Sequence, residues 1–459
     1  MSAPATVFDA IIVGAGQAGP PLAGRLVEAG YTVAVIERKL VGGTCVNYGC
    51  IPTKTLVASA HAAHVARRGP EFGIGTGEVT VDMTKVKDRK DGIVTADRTG
   101  VETWMQGMDG CTLLRGHARF VDPHTLAVGD QRITAERIFL NVGGRASTPD
   151  IPGLADVDYL TNVGILELDT VPEHLVVIGG SYIGLEFAQM FRRFGAEVTV
   201  IERGRRLASR EDDDVCAAIK DILEAEGITV HLGANDIRVA AHPDGIEVAT
   251  RSGGPVVTGT HLLVAVGRVP NTDDLGLDAA GVATDARGYI TVDDELRTTA
   301  GHIWAMGDCN GQGAFTHTSY NDFEIVAANL LDGEPRRVSD RIPTYALYID
   351  PPLGRAGLTE AQVRKTGRKA LVGKRPMTRV GRAVEKGEAQ GFMKVLVDAE
   401  TQQILGASIL GVGGDEVVHC ILDMMAAKAP YTTMTHTVHI HPTVAELVPT
   451  MLEGLTPLE

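Results

Sequence analysis

The feature that most constrains this chain is a glycine-rich unit that occurs twice. The stretch FDAIIVGAGQAGPPLAGRLVEAGYTVAVIER, from Phe8 to Arg38, reads as an apolar strand, a glycine turn, a helix and a second strand. The stretch HLVVIGGSYIGLEFAQMFRRFGAEVTVIER, from His174 to Arg203, repeats that order and ends on the same VIER. A βαβ unit present twice implies two Rossmann-like nucleotide-binding domains, not one long sheet. At 459 residues the chain exceeds one ordinary core, and its 54 glycines suit tight turns and close backbone approaches.

In the first unit Gly14, Gly16 and Gly19 form GxGxxG directly after the strand, with Ala23 spaced for close helix–sheet packing. The first glycine makes the turn, the second lets backbone approach a pyrophosphate, and the helix N-terminus faces the anion. Pro20 and Pro21 fall in the first helical turn, where a missing N–H costs little. Glu37, followed by Arg38, ends the second strand and can accept hydrogen bonds from ribose hydroxyls.

The second unit, GGSYIG, carries Gly179 and Gly184 but puts Ser181 where the middle glycine would sit; Tyr182 and Ile183 open its helix. Glu202 matches Glu37 and favours NADH, whereas Arg203, Arg205 and Arg206 could hold the 2′-phosphate of NADPH. A carboxylate beside that phosphate is repulsive, so the residues lean towards NADH, with NADPH left open.

A net charge of −15 argues against a nucleic-acid binder. No apolar run reaches the ~20 residues of a membrane span, and Met1 to Val7 lacks the pattern of a signal peptide. A cytoplasmic protein is expected. Six cysteines are too few for a secreted disulfide scaffold of this length, and four of them are isolated. From about Arg341 the texture changes. Gly391 to Leu410 alternates as an antiparallel pair with a turn near Glu400–Gln402, and a helix follows from Asp415 to Ala427.

The remaining two cysteines, Cys45 and Cys50, lie in GGTCVNYGCIPTK, Gly42 to Lys54. They can form a disulfide only if the backbone brings them together, as a helical turn distorted by Gly49 and Pro52 would. Two close cysteines are by themselves as compatible with idle thiols. A zinc site is disfavoured because no second Cys/His cluster lies nearby, and no metal is expected.

GGTCVNYGCIPTK resembles the redox-active signature of the class I pyridine-nucleotide disulfide oxidoreductases, the family of dihydrolipoamide dehydrogenase, glutathione reductase and mercuric reductase. The resemblance spans essentially the whole chain. TTAGHIWAMGDCNG resembles the family's second flavin motif, VGGRASTPDIPG and VGRVPN its two short strand-to-loop motifs, and HIHPTVAE its C-terminal histidine–glutamate signature.

The resemblance implies FAD on the first unit, held by Gly14, Gly16, Gly19, Glu37, Arg38, Gly43, Thr44, Lys54, Gly143, Gly307 and Asp308. It implies NAD(P)H on the second, at Gly179, Tyr182, Ile183, Gly184, Glu202, Arg203 and Gly267, with Tyr182 as the gate over the flavin. Cys50 becomes the thiol beside the flavin and Cys45 the interchange thiol. Lys54 pairs with Glu186 near the flavin. His441 becomes the acid/base, oriented by Glu446, with His439 a neighbour; it serves the other subunit, which implies a homodimer.

The implied division is 1–148 and 269–340 for the FAD domain, 149–268 for the NAD(P) domain and 341–459 for an α+β dimerisation domain. Within the family, VGRAVEKGEAQGFMKVLVDAETQQILGASILG and PTYALYIDPPLGRAGLTEAQV resemble the mercuric-reductase branch and its relatives that reduce reactive chlorine or hypothiocyanite species. The terminal cysteine pair and N-terminal metal-binding domain of mercuric reductase proper are expected to be absent. Dihydrolipoamide dehydrogenase, running from dithiol to NAD+, is an alternative, although Tyr48 and Thr53 depart from its usual motif. A redox-sensing flavoprotein is another. The substrate expected from the resemblance is a small disulfide or thiol-reactive oxidant.

Overall fold

The computed structural model describes residues 5–251 and 254–459; positions 1–4 of the N-terminal segment lie outside it. The helices that position the sites are α1 (Gly19–Glu28), α2 (Gly43–Tyr48), α3 (Cys50–Arg67), α4 (Met83–Gln106), α5 (Tyr182–Phe194), α6 (Asp213–Ala225) and α7 (Thr316–Ala327). The chain forms two compact units, the first from 1–55, 84–147 and 267–341, the second from 56–83, 148–266 and 342–459.

The first unit is built on a sheet whose parallel strands run Cys111–Arg115, Val33–Glu37, Thr6–Val13, Gln131–Leu140 and Ile303–Ala305. An antiparallel arm, Thr125–Val128 and Ala118–Asp122, extends it. Alternate residues of the first strand serve opposite faces. Ala10 and Ile12 pack with Leu22, Leu26 and Phe323 on one side, Ile11 and Val13 with Ile138 and Ile303 on the other. Covering both faces is what a parallel sheet requires.

The second unit repeats the parallel pattern with Thr229–Leu232, Glu197–Glu202, His174–Ile178 and His261–Val264. It also holds a three-stranded antiparallel sheet. A further antiparallel sheet runs Thr344–Leu347, Leu353–Gly357, Ile404–Leu410, Phe392–Asp398, Ala370–Pro376 and Thr456–Pro457. The architecture is two Rossmann-like domains plus a C-terminal α+β domain, as expected.

The antiparallel pair expected over Gly391–Leu410 is present, and one local reading elsewhere needs correction. The strands Phe392–Asp398 and Ile404–Leu410 alternate in sequence but are buried on both faces. Met393, Val395 and Val397 pack in one apolar cluster, while Leu396 belongs to another. Lys394, 2 % exposed, is the polar member of the alternation, and it faces carboxylates, not water. Its Nζ lies 2.9 Å from Asp212 Oδ2, 2.7 Å from Asp214 Oδ1 and 2.7 Å from Glu360 Oε1. Burial opposes its charge, but hydrogen bonds to Asp214, Glu360 and Asp212 outweigh that and hold the ammonium above its ordinary pKa. Beside it, Arg355 grips Glu211 through Nε (3.1 Å to each oxygen) and Nη2 (2.6 Å), and Tyr345 Oη donates to the same carboxylate. The correction concerns the cysteine segment. Gly49 (φ −133°, ψ −117°) separates α2 from α3, and Pro52 sits undisturbing in the first turn of α3.

Candidate active site

In the first unit the glycine turn is held by its own backbone and by one side chain. Gly14 (φ +103°) lies so close to the neighbouring strand that a Cβ would sit 2.2 Å from the Asn141 carbonyl oxygen, and a Cβ on Gly16 would be 2.9 Å from Asn141 Oδ1. That Oδ1 accepts from Gly19 N–H at 3.1 Å, while Asn141 Nδ2 donates to the Met306 carbonyl at 3.1 Å. The buried Glu37 carboxylate accepts from Ala15 N–H (2.9 Å) and Lys39 N–H (2.7 Å). Each oxygen keeps acceptor capacity for a ribose hydroxyl. Helix α1 starts without a side-chain cap or an acidic residue in its first turn, which leaves its dipole open to an anion. Arg38 is exposed and paired with Asp274 at 2.7 Å.

The other flavin candidates of this unit surround two further turns. Gly43 (φ +61°) abuts Gly16, where a Cβ would meet its Cα at 2.8 Å, and Thr44 follows it in α2. Gly143 (φ +65°) accepts from Asn271 N–H at 3.0 Å. Gly307 N–H donates to Asp322 Oδ2 at 2.7 Å, and Asn310 Nδ2 to the same oxygen at 2.9 Å. Burial pushes the neighbouring Asp308 carboxyl up, against the pull of Arg268 at 3.4 Å. These residues fit FAD: an open helix end for the pyrophosphate, Glu37 for the ribose and Asp308 for a hydroxylated chain. Asn141 and Asp322 were not singled out from the sequence. Asn141 stands inside the strand segment IFLNVGG, where nothing local distinguishes it.

Cys45 lies in α2 and Cys50 opens α3, on either side of Gly49, and both are thiols. A Cβ on Gly49 would sit 2.9 Å from the Thr44 carbonyl oxygen, so this close approach needs glycine. A hydrogen bond to the Cys50 sulfur, then burial, then repulsion by charge on Cys50, push the Cys45 thiol far up. The two sulfurs titrate as a pair, and the second charge is the one resisted. Cys50, at the first position of an 18-residue helix, is the sulfur the dipole favours as thiolate. Thr316, unforeseen in the sequence, places its Oγ1 3.1 Å from Cys50 Sγ. Lys54 lies half-buried in the first turns of α3.

The second unit carries the other glycine turn. A Cβ on Gly179 (φ +118°) would sit 2.4 Å from the Ala265 carbonyl oxygen, and one on Gly184 2.1 Å from that of Gly179. Glu202 accepts from Gly180 N–H (2.6 Å) and Gly204 N–H (2.5 Å), the arrangement Glu37 shows in the first unit. Exposed Ser181 caps α5 positionally but makes no side-chain cap bond; Tyr182 and Ile183 follow, half-buried. Arg203 and Arg205 are exposed, whereas Arg206 is paired with Asp213. Gly267 (φ +133°) belongs to the first unit, unlike the other nicotinamide candidates. Glu186, 3 % exposed, accepts from Tyr348 N–H at 3.0 Å.

Also in this unit, His441 Nδ1 lies 3.0 Å from both oxygens of Glu446. The carboxylate is further fixed by Thr443 N–H at 3.3 Å. A donor at Nδ1 leaves Nε2 as the acceptor nitrogen of neutral imidazole. His441 is 79 % exposed and sits among the exposed Val438 and Ile440. His439 instead turns Nδ1 to the Thr437 carbonyl.

Among the described residues no helix is long and apolar enough to cross a membrane. Residues 8–322 match the model of the pyridine nucleotide-disulphide oxidoreductase family, and residues 343–452 match the dimerisation domain of that family. The chain is 36 % identical to the probable pyridine nucleotide-disulfide oxidoreductase RclA of Escherichia coli, over 96 % of this chain and 97 % of the relative. It is 35 % identical to a dihydrolipoyl dehydrogenase of Haloferax volcanii (97 % and 95 %) and 34 % identical to a mercuric reductase of Bacillus cereus (93 % and 70 %). The solved structure described as the HOCl-induced flavoprotein disulfide reductase RclA from Escherichia coli superposes with a TM-score of 0.89, covering 97 % of this chain and 99 % of that one. The chain belongs to the pyridine nucleotide-disulphide oxidoreductases, enzymes that work with FAD and NAD(P)H.

Proposed function

We propose that this enzyme takes electrons from NAD(P)H and delivers them through Cys50 and then Cys45 to a small disulfide or thiol-reactive oxidant. Bound FAD supplies the two-electron relay between nicotinamide and sulfur. The reading rests on the hydrogen-bonded thiol pair beside a glycine turn suited to a dinucleotide. In the reduced pair Cys45 attacks the acceptor disulfide and one thiol leaves. The Cys50 thiolate then displaces the second, closing a Cys45–Cys50 disulfide. His441, oriented by Glu446, gives the leaving sulfur its proton. Lys54 with Glu186 serves the flavin end, and Tyr182 gates the nicotinamide.

For the cofactors the assignment is Gly14, Gly16, Gly19, Glu37, Arg38, Gly43, Thr44, Lys54, Gly143, Gly307 and Asp308 for FAD. Gly179, Tyr182, Ile183, Gly184, Glu202, Arg203 and Gly267 serve the nicotinamide nucleotide. The engaged Glu202 and the occupied Arg206 favour NADH. The proposed division is 1–148, 149–268, 269–340 and 341–459. The exposed His441, Val438 and Ile440 support a homodimer in which this segment completes the partner's site. A cytoplasmic location accords with the isolated thiols.

The HOCl induction stated for RclA favours an oxidant as acceptor. A second reading, dithiol oxidation by NAD+, is favoured by the identity to dihydrolipoyl dehydrogenase. A steady-state screen with NADH and NADPH against lipoamide, small disulfides, hypothiocyanite and mercuric ion separates these. Turnover with a disulfide or hypothiocyanite is expected, lost in Cys45→Ser. One stoichiometric reduction without turnover on any acceptor would make the protein a redox sensor instead.

A further inference from the structure

Thr316 is the first residue of α7, and its hydroxyl is spare. Phe315 is the N-cap, with no side-chain cap bond, and the first turn carries no acidic residue. The hydroxyl instead lies 3.1 Å from Cys50 Sγ. One O–H thus faces the Cys50 sulfur at hydrogen-bond distance.

The position is built, not incidental. Helix α7 is tied down six residues on by Asp322, wholly buried, whose carboxylate takes the Gly307 N–H, the Asn310 amide and the Arg341 guanidinium. Ser319 N–H closes the first turn on the Phe315 carbonyl at 3.0 Å. Phe315 stacks on His317 with ring centroids 5.3 Å apart.

We infer that Thr316 is a positioning residue that sets which sulfur of the reduced pair carries the negative charge. Its O–H donates to the Cys50 thiolate while Cys45 keeps its proton. A hydroxyl donor on one sulfur and not on the other stabilises the charge on Cys50, the thiolate that closes the disulfide once Cys45 has attacked.

This inference rests on the proposed redox role of the cysteine pair, and the test separates the two. Thiol titration of the oxidised and NAD(P)H-reduced holoenzyme first counts the cysteines that cycle. Two thiols gained on reduction in wild type and in every Thr316 variant upholds the redox pair; none gained overturns that role whatever Thr316 does. The pH dependence of the long-wave thiolate absorbance of the reduced holoenzyme then reads the charge on Cys50.

In Thr316→Val the transition moves to higher pH, leaving about tenfold less thiolate at a fixed pH below it, as loss of a hydrogen bond to an anion implies. Thr316→Ser, which keeps the hydroxyl, restores the wild-type profile. In a Cys45→Ser background, where Cys50 stands without a thiol partner, the Val substitution shifts the transition in the same direction. A Val profile superimposable on wild type overturns the inference. So does a Ser variant that behaves like Val, because packing would then carry the effect.

Discussion

In the first unit the glycine turn at Gly14–Gly19 is bound by Asn141, whose side chain bridges Gly19 N–H and the Met306 carbonyl. In the second, the corresponding strand presents Ala265, which offers the turn at Gly179–Gly184 only its backbone. The acids behave alike: Glu37 and Glu202 each tie the residue after the first glycine to the residue two beyond themselves. The middle positions differ, a half-buried Gly16 against an exposed Ser181. The shared backbone is what a dinucleotide demands. On the proposed assignment, the added clamp falls in the site of the resident group and is missing from the site whose ligand must come and go each cycle.

The sharpest way to break this comparison is to place a methyl group in each turn. Gly14→Ala and Gly179→Ala both force a Cβ within 2.4 Å of a carbonyl oxygen, at φ +103° and +118°. Strain of this kind costs about 1–3 kcal/mol before the clash is added. Gly14→Ala is expected to purify without flavin. Gly179→Ala is expected to stay yellow but to lose reduction by NAD(P)H. Flavin absorbance per chain and stopped-flow reduction measure the two. A Gly179→Ala protein that is also colourless would show that the sites are not independent.

Next in size is Asn141→Ala, which leaves the Gly19 N–H without its partner, about 1–3 kcal/mol, and leaves the Met306 carbonyl with the Cys309 thiol at 3.4 Å. Weaker FAD retention on dilution and a lower Tm are expected, with the KM for NADH unchanged. A shift in KM with flavin affinity intact would remove Asn141 from the clamp. The smallest effect is expected for Ser181→Gly, which gives the second turn the pattern of the first. An exposed side chain without a cap bond contributes within about 0.5 kcal/mol, so the KM for NADH should change less than threefold. A larger change would give Ser181 a part in holding the nucleotide.

What was legible in the sequence is what is local in the chain. The repeat, Glu37 and Glu202, the cysteine pair and the His441–Glu446 signature each lie within a short stretch, where spacing translates directly into geometry. Asn141, Asp322 and Thr316 were not legible, because each comes to its site from a distant segment: 122 positions separate Asn141 from Gly19, and 266 separate Thr316 from Cys50. The place of Lys394 was hidden for a related reason. A lysine in a strand looks like a solvent-facing residue until the carboxylates of Asp212, Asp214 and Glu360 are brought against it.

That lysine bears on how the enzyme could be re-engineered. The segment after Glu202 carries the arginines proposed to bear on nucleotide choice, and it ends at Glu211 and Asp212, which are held by Arg355 and Lys394 of the C-terminal sheet. It is therefore not a cassette. Transplanting a 203–214 segment that lacks acids at 211, 212 and 214 would leave buried Arg355 without a counterion and Lys394 with Glu360 alone, unless positions 355 and 394 travel with it. Partners so far apart in the chain would be expected to change together, so altered cofactor preference and altered C-terminal strands should arise as one joint step.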